Sequence, residues 1–150
     1  VRTLFAREAM ITSKVVKGKE EEGEKYRDYF DFSALLSRCP SHRVLAIRRG
    51  ETEGFLRVSI SPDDEKCLDR LVGRYAKNNS AAADQVEDAV VDAYKRLLKP
   101  SIETEFANLS KEKADEDAIA VFAETLRQLL LAPPLGQKRI LGIDPGYRTG

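Results

Sequence analysis

The sequence has no tryptophan, one methionine, one histidine and two cysteines, and each scarcity closes a class of function. A structural zinc site needs four ligands at short paired spacings, and Cys39, Cys67 and the single His42 do not supply them. Two cysteines so far apart make no secreted disulfide framework, so both are expected as buried free thiols. Net charge of one sign is also missing: 25 Lys plus Arg face 25 Asp plus Glu. A dedicated polyanion binder needs an excess of cations to displace counterions from phosphates, so any nucleic-acid contact must come from a local patch. No apolar run approaches the roughly 20 residues of a membrane span, and the chain does not open on a signal-peptide pattern. A cytoplasmic location is expected, with no membrane partner. Internal repeats are lacking, and the acidic run at Glu20-Glu21-Glu22 is the one biased tract.

Present instead are 150 residues, 42% hydrophobic and 33% charged, the profile of a globular chain with a sizeable core. Leu4, Phe5, Ala9, Ile11, Val15 and Val16 fall at helical spacing and predict one amphipathic helix. Gly18 weakens it, and the glutamates after it read as a solvated helix or turn. Tyr26, Tyr29, Phe30 and Phe32 then concentrate the aromatics. With Arg27 as the only adjacent cation, they are read as core rather than as a base-stacking platform. Ser41 is a candidate N-cap and Gly50 a candidate C-terminal cap for a helix over 42–49, a stretch that can also be read as a strand. The alternation of Leu56, Val58 and Ile60 predicts a strand over 55–60.

Beyond residue 60 the pattern is helical. Ser61-Pro62-Asp63-Asp64 supplies an N-cap, a first-turn proline and acids that suit the helix dipole, ahead of a stripe of Cys67, Leu68, Leu71, Val72 and Tyr75. Lys77-Asn78-Asn79 ends that helix and Ser80 caps the next, whose stripe is Val86, Ala89, Val90, Ala93, Tyr94, Leu97 and Leu98. Pro100 is expected to stop it. Ser101 then opens a short helix through Leu109, and Ser110 caps a long one that Pro133-Pro134 terminates.

The last residues differ in kind. Leu135-Gly136-Gln137-Lys138 reads as a linker and 139–143 as a short buried strand ending at Asp144-Pro145-Gly146, which places a boundary near residue 136. A carboxylate at the end of a buried strand is a position where chemistry often sits. Asp144 is open to three readings: the first of several carboxylates that hold paired metal ions for phosphodiester cleavage, the start of a phosphate-cradling loop with Thr149-Gly150, or a structural Asx turn.

The run Ile140-Leu141-Gly142-Ile143-Asp144-Pro145-Gly146-Tyr147-Arg148-Thr149-Gly150 resembles the opening of the YqgF, RNase H-like domain of Tex transcription accessory proteins. Pro40-Ser41-His42-Arg43 with Leu45-Ala46 and Arg49-Gly50 is similar to the segment before it in that family. So are Leu97-Leu98, Pro100-Ser101-Ile102-Glu103-Thr104-Glu105, Ala114-Asp115, and the stretch from Leu126 to Pro134. The resemblance implies residues 1–136 as the family's central helical core and residues 137–150 as linker and first strand of a truncated RNase H-like domain. With Val1 not an initiator and Gly150 inside a turn motif, a piece of a longer protein is expected. The resemblance further implies a role in transcription, with nucleic acid and the transcription machinery as partners of the full-length protein and an OB-fold as its main RNA-binding surface. Asp144 matches the first acidic position of related Holliday-junction resolvases, which keeps a nuclease reading of the parent open.

The expected fold is mainly α, a helical bundle with a minor β component ending in the first strand of the truncated domain. The expected function is a scaffold without catalytic residues of its own, metal or cofactor. The densest basic cluster is His42, Arg43, Arg48 and Arg49, a candidate phosphate contact that dipole neutralisation or pairing with nearby glutamates also explains. Glu103 and Glu105 are first-turn acids rather than a catalytic pair, because no base, nucleophile or metal ligand near them completes a site. An actin-like nucleotide binder is the third reading of the parent. The terminal segment has three fates open to it: disorder, pairing with 55–60, or pairing with another molecule.

Overall fold

The computed structural model describes residues 1–76 and 81–143, and its packing divides the chain into two units, Val1–Ile119 and Ala120–Gly150. As expected, the fold is mainly α with a small β component.

The N-terminal segment is not the single helix that its spacing predicts. Helix α1 (Arg2–Glu8) ends where Ala9 turns extended, with φ −63° and ψ 132°, and strand β1 (Met10–Val15) follows. In β1 the side chains alternate: Ile11 and Ser13 are buried while Met10 and Lys14 are exposed. The β-branched Ile11, Thr12 and Val15 suit a pleated, half-buried surface, and long-range pairing decides between two periods that a short apolar segment satisfies equally. Strand β1 is the centre of a three-stranded antiparallel sheet in the order β2-β1-β3. One neighbour is β2 (Asp31–Leu35), with Ile11 opposite Ala34, and the other is β3 (Leu56–Ser61), with Ile11 opposite Ile60. The strand predicted over 55–60 is therefore present, and its partner is β1.

Helix α2 (Ser41–Thr52) covers the sheet and settles 42–49 as helix. Its caps differ from the expectation. Pro40 holds the N-cap position, and the Ser41 hydroxyl donates instead to the Asp117 carboxylate at 2.5 Å. Gly50 lies inside α2, where a Cβ would come within 2.6 Å of Leu56 Cδ1. The left-handed turn falls at Gly54, φ +77°. Phe5, Ala9, Ile11, Ile47, Ile60 and Ile102 form the main core, with Tyr29, Phe32 and Phe106 packed against it. Tyr26 is buried as well, so the aromatic cluster contributes core as predicted. Buried among these side chains, Ser13 donates to the Tyr29 carbonyl at 2.6 Å, which satisfies a hydroxyl removed from water.

Helix α3 (Asp64–Tyr75) starts two residues later than Ser61 suggests: Asp63 is its cap and accepts the Glu65 N–H at 3.0 Å. The stop at Lys77-Asn78-Asn79 and the cap at Ser80 lie outside the described residues. Helix α4 (Ala81–Ala93) packs on α3 and leads into a π-helical turn, Tyr94–Leu98, from which helix α5 continues over Lys99–Leu130. Neither Pro100, Ser101 nor Ser110 breaks α5. The π turn sends the Lys99 N–H back to the Tyr94 carbonyl, five residues earlier, and this wider turn accommodates the proline ring that would otherwise strike a carbonyl of a regular helix. Ser110 does not cap; its hydroxyl bonds the Ala107 carbonyl within the helix. A second core cluster of Leu4, Cys67 and Tyr94 joins α1, α3 and the π turn. Cys67 is fully buried, as expected of a free thiol, whereas Cys39 is only half-buried.

In the unit Ala120–Gly150, residues 139–143 make no strand pairing, and Ile140, Leu141 and Ile143 are exposed. The buried strand expected there does not form among the described residues, because no neighbouring strand takes up its N–H and C=O groups. Phe122, Leu126, Leu129 and Leu130 of α5 are exposed too. They repeat at i, i+4, i+7 and i+8, which places them on one face of the helix.

Candidate nucleic-acid interface

The basic cluster around α2 is the candidate that the sequence singles out, and the helix distributes its four members differently. His42 and Arg49 stand seven residues apart, share one face with Ala46, and are exposed. Arg43 is rotated off that face, and its guanidinium lies 5.8 Å from the Phe32 ring centre, a cation–π contact that ties α2 to strand β2. Arg48 points elsewhere: it is half-buried and ion-paired with Glu51 on the same helix. Of the four residues, His42 and Arg49 therefore share the open face, Arg43 stacks on Phe32, and Arg48 is neutralised by Glu51. Arg49 is itself near Glu53. That carboxyl is held below its usual range mainly by a hydrogen bond from Lys25, with burial opposing and the charge of Arg49 adding to the effect. The remaining patch can accept one or two phosphate groups, and contacts of that number give weak, salt-sensitive association without base readout.

Glu103 and Glu105 are not the first-turn acids expected, because α5 starts at Lys99 in continuity with the π turn and its first turn carries no acid. Glu105 pairs with Arg2 at 2.9 Å, and Glu103 lies beside Ser59, with its carboxyl pushed upward by burial. Asp144 lies outside the described residues. Among the described residues, no group of three His, Cys, Asp or Glu side chains converges to hold a metal ion, and no helix is long and apolar enough to cross a membrane.

Two features escaped the sequence reading. One is a polar knot in which Asp64 accepts from the Tyr94 hydroxyl at 2.7 Å and from Lys99 Nζ at 2.6 Å. The other is a cleft of about 430 Å³ flanked by Arg38 and Lys113, 75 positions apart in sequence. Neither had a local signal, because the partners come from segments that only folding brings together.

Residues 1–122 match the family described as Tex central region-like. The chain is 43% identical to the transcriptional accessory protein Tex of Neisseria gonorrhoeae over 95% of its own length and 20% of that protein. It is 37% identical to the protein tex of Bordetella pertussis over 94% of the chain and 20% of the relative. The human S1 RNA-binding domain-containing protein 1 is 30% identical over 95% of the chain, which spans 15% of that protein. The chain thus spans about a fifth of the bacterial relatives it matches. On these matches, the chain belongs to the Tex central region-like family.

Proposed function

We propose that the chain is a non-enzymatic scaffold within a Tex-type protein that acts in transcription in the cytoplasm and binds nucleic acid mainly through regions beyond these residues. The observation that carries the scaffold reading is the open apolar face of α5, where Phe122 is 66%, Leu129 69% and Leu130 75% exposed. A contiguous apolar face of this kind marks a surface that other protein covers. The names of the relatives, one a transcriptional accessory protein and one carrying an S1 RNA-binding domain, support the transcriptional and RNA-related part of the reading. So does the sparse basic surface of α2, where Arg49 shares a face with His42 and Arg43 lies off it, which suits an auxiliary contact better than a dedicated reader. The expected division of residues 1–136 from 137–150 belongs to the same proposal.

The test is fluorescence anisotropy of the 150-residue chain with labelled single-stranded RNA and DNA. Weak binding is expected, falling steeply between about 50 and 200 mM salt and weakened further by a combined His42→Ala, Arg43→Ala, Arg49→Ala variant. Tight binding that persists at high salt would make the chain a reader in its own right and overturn the scaffold reading. Cleavage by the longer protein with Mg²⁺, lost in Asp144→Asn, would make the parent an enzyme instead.

A further inference from the structure

Within the unit Val1–Ile119, a cleft of about 430 Å³ opens between α5 and the segment that leads into α2. Its apolar wall is built from Leu36, Val44, Phe106 and Leu109, and Leu109 is 51% exposed although it sits beside buried Val44 and Ala114. Arg38 and Lys113 stand on the lining, both exposed, and neither joins an ion pair among the described residues. The lining also carries one carboxylate, Asp117, which already accepts the Ser41 hydroxyl at 2.5 Å. The cleft thus pairs an apolar floor with two cations in no ion pair among the described residues and one carboxylate, so its lining keeps a surplus of positive charge.

This combination discriminates among occupants. Base stacking by a nucleic-acid strand would need an open aromatic face, but Phe106 is half-buried and its ring lies 5.5 Å from that of Phe5, tilted by 39°, so a strand would offer only phosphates to the two cations and leave the apolar wall unused. A polar metabolite would leave the apolar wall unused, and two cations are too few to hold an anionic membrane surface. What uses the apolar wall and both cations is a chain segment with bulky apolar side chains for the floor and carboxylates for the rim, seated on the side of Arg38 and Lys113 away from Asp117. We propose that this cleft docks a short acidic–hydrophobic segment of a partner protein, with its apolar side chains against Val44, Phe106 and Leu109 and its carboxylates on Arg38 and Lys113. Charge selects the partner and apolar burial holds it, the division of labour usual at protein interfaces.

The probe is a fluorescein-labelled Gly/Ser peptide of about ten residues with Glu-Leu-Phe-Glu at its centre, titrated with the full 150-residue chain. Two control peptides carry Lys-Leu-Phe-Lys and Glu-Ser-Ser-Glu. The acidic–hydrophobic peptide should bind roughly tenfold or more tightly than either control. Joint Arg38→Glu and Lys113→Glu reversal should reverse the preference in favour of the lysine-flanked peptide. Leu109→Asp should abolish binding of all three; its side chain is exposed, so the variant should keep the native circular dichroism and melting temperature. As an independent readout, the half-buried Cys39 lines the cleft, whereas Cys67 is fully buried, so iodoacetamide should modify Cys39 more slowly in the complex. No binding at about 1 mM peptide, equal binding of the controls, or indifference to charge reversal would each overturn the proposal. Displacement of the peptide by oligouridylate would overturn it too, by making the cleft a nucleic-acid surface.

Discussion

Asp64 shows how one side chain can tie three segments together. It sits at the start of α3, while its partners come from the π turn (Tyr94), the start of α5 (Lys99) and, at 3.4 Å, the end of β3 (Ser61). Burial raises the Asp64 carboxyl, but the hydrogen bonds from Lys99 and Tyr94 outweigh it and hold the group below the ordinary carboxylate range. Burial, then the bond to Asp64, pushes the Tyr94 phenol far up, so it remains a donor throughout the useful pH range. A carboxyl that is more acidic in the folded than in the unfolded chain stabilises the fold above its unfolded pKa, about 3.9 for Asp. That contribution fades as pH falls through the depressed folded value. Urea unfolding should therefore show the native chain losing more stability across this acid window than Asp64→Asn does; equal losses would remove Asp64 from the acid response. Tyr94→Phe deletes one donor at a fully buried ring and should cost about 1–2 kcal/mol at neutral pH, read from the same urea curves. The burial of Tyr94 was legible, since it falls on the apolar stripe read over 86–98, but its hydroxyl partner 30 positions away was not.

At the scale of elements, the stripe read over 86–98 is buried only at Tyr94: Val86 and Ala89 are exposed upstream of the π turn, and that turn bears only on the positions after it. An extra residue in one turn shifts all later positions by about 100° around the axis. Leu97 and Leu98, assigned to the buried face by regular spacing, are 57% and 39% exposed. The same turn lets Pro100 sit inside a continuous helix, so the stop signal was real chemistry in the wrong context. Packing of α2 on β3 makes a sharper demand at Gly50, where an added Cβ would meet Leu56 Cδ1 at 2.6 Å and Cγ at 2.9 Å. Leu56 is 2% exposed and cannot swing away. Gly50→Ala should therefore destabilise by about 1–3 kcal/mol in thermal or urea melts, even though alanine favours helix by roughly 1 kcal/mol at an ordinary position. Stabilisation by the substitution would show that α2 and β3 pack more loosely than their geometry indicates. From sequence, Gly50 reads as a cap because glycine suits the position just past a helix end; its actual role depends on a strand that approaches from outside the helix.

For the molecule as a whole, the open face of α5 is the main unfinished surface. Phe122, Leu126, Leu129 and Leu130 leave apolar area in water, and that area favours association with any surface able to cover it. Sedimentation velocity should show concentration-dependent self-association of the 150-residue chain. A Phe122→Glu, Leu129→Glu, Leu130→Glu variant should stay monomeric, with its melting temperature changed by no more than about 2 °C because these side chains contribute little to the core. A monomeric native chain at high concentration would count against the face as an interaction surface.

What the sequence determined by itself is what depends on near neighbours: the helical periods, the alternation in β3, the exclusion of a four-ligand zinc site among so few His and Cys, and the family resemblance over most of the chain. Tertiary structure decided whatever rests on distant partners. It turned 10–15 into the central strand, divided the four basic residues of α2 among an open face, a ring and an ion pair, and joined Arg38 to Lys113 across one cleft. The physical reason is the same throughout: a short segment often satisfies two periods or two pairings at similar local cost, and the choice between them falls to the apolar area and hydrogen bonds that only the assembled chain supplies.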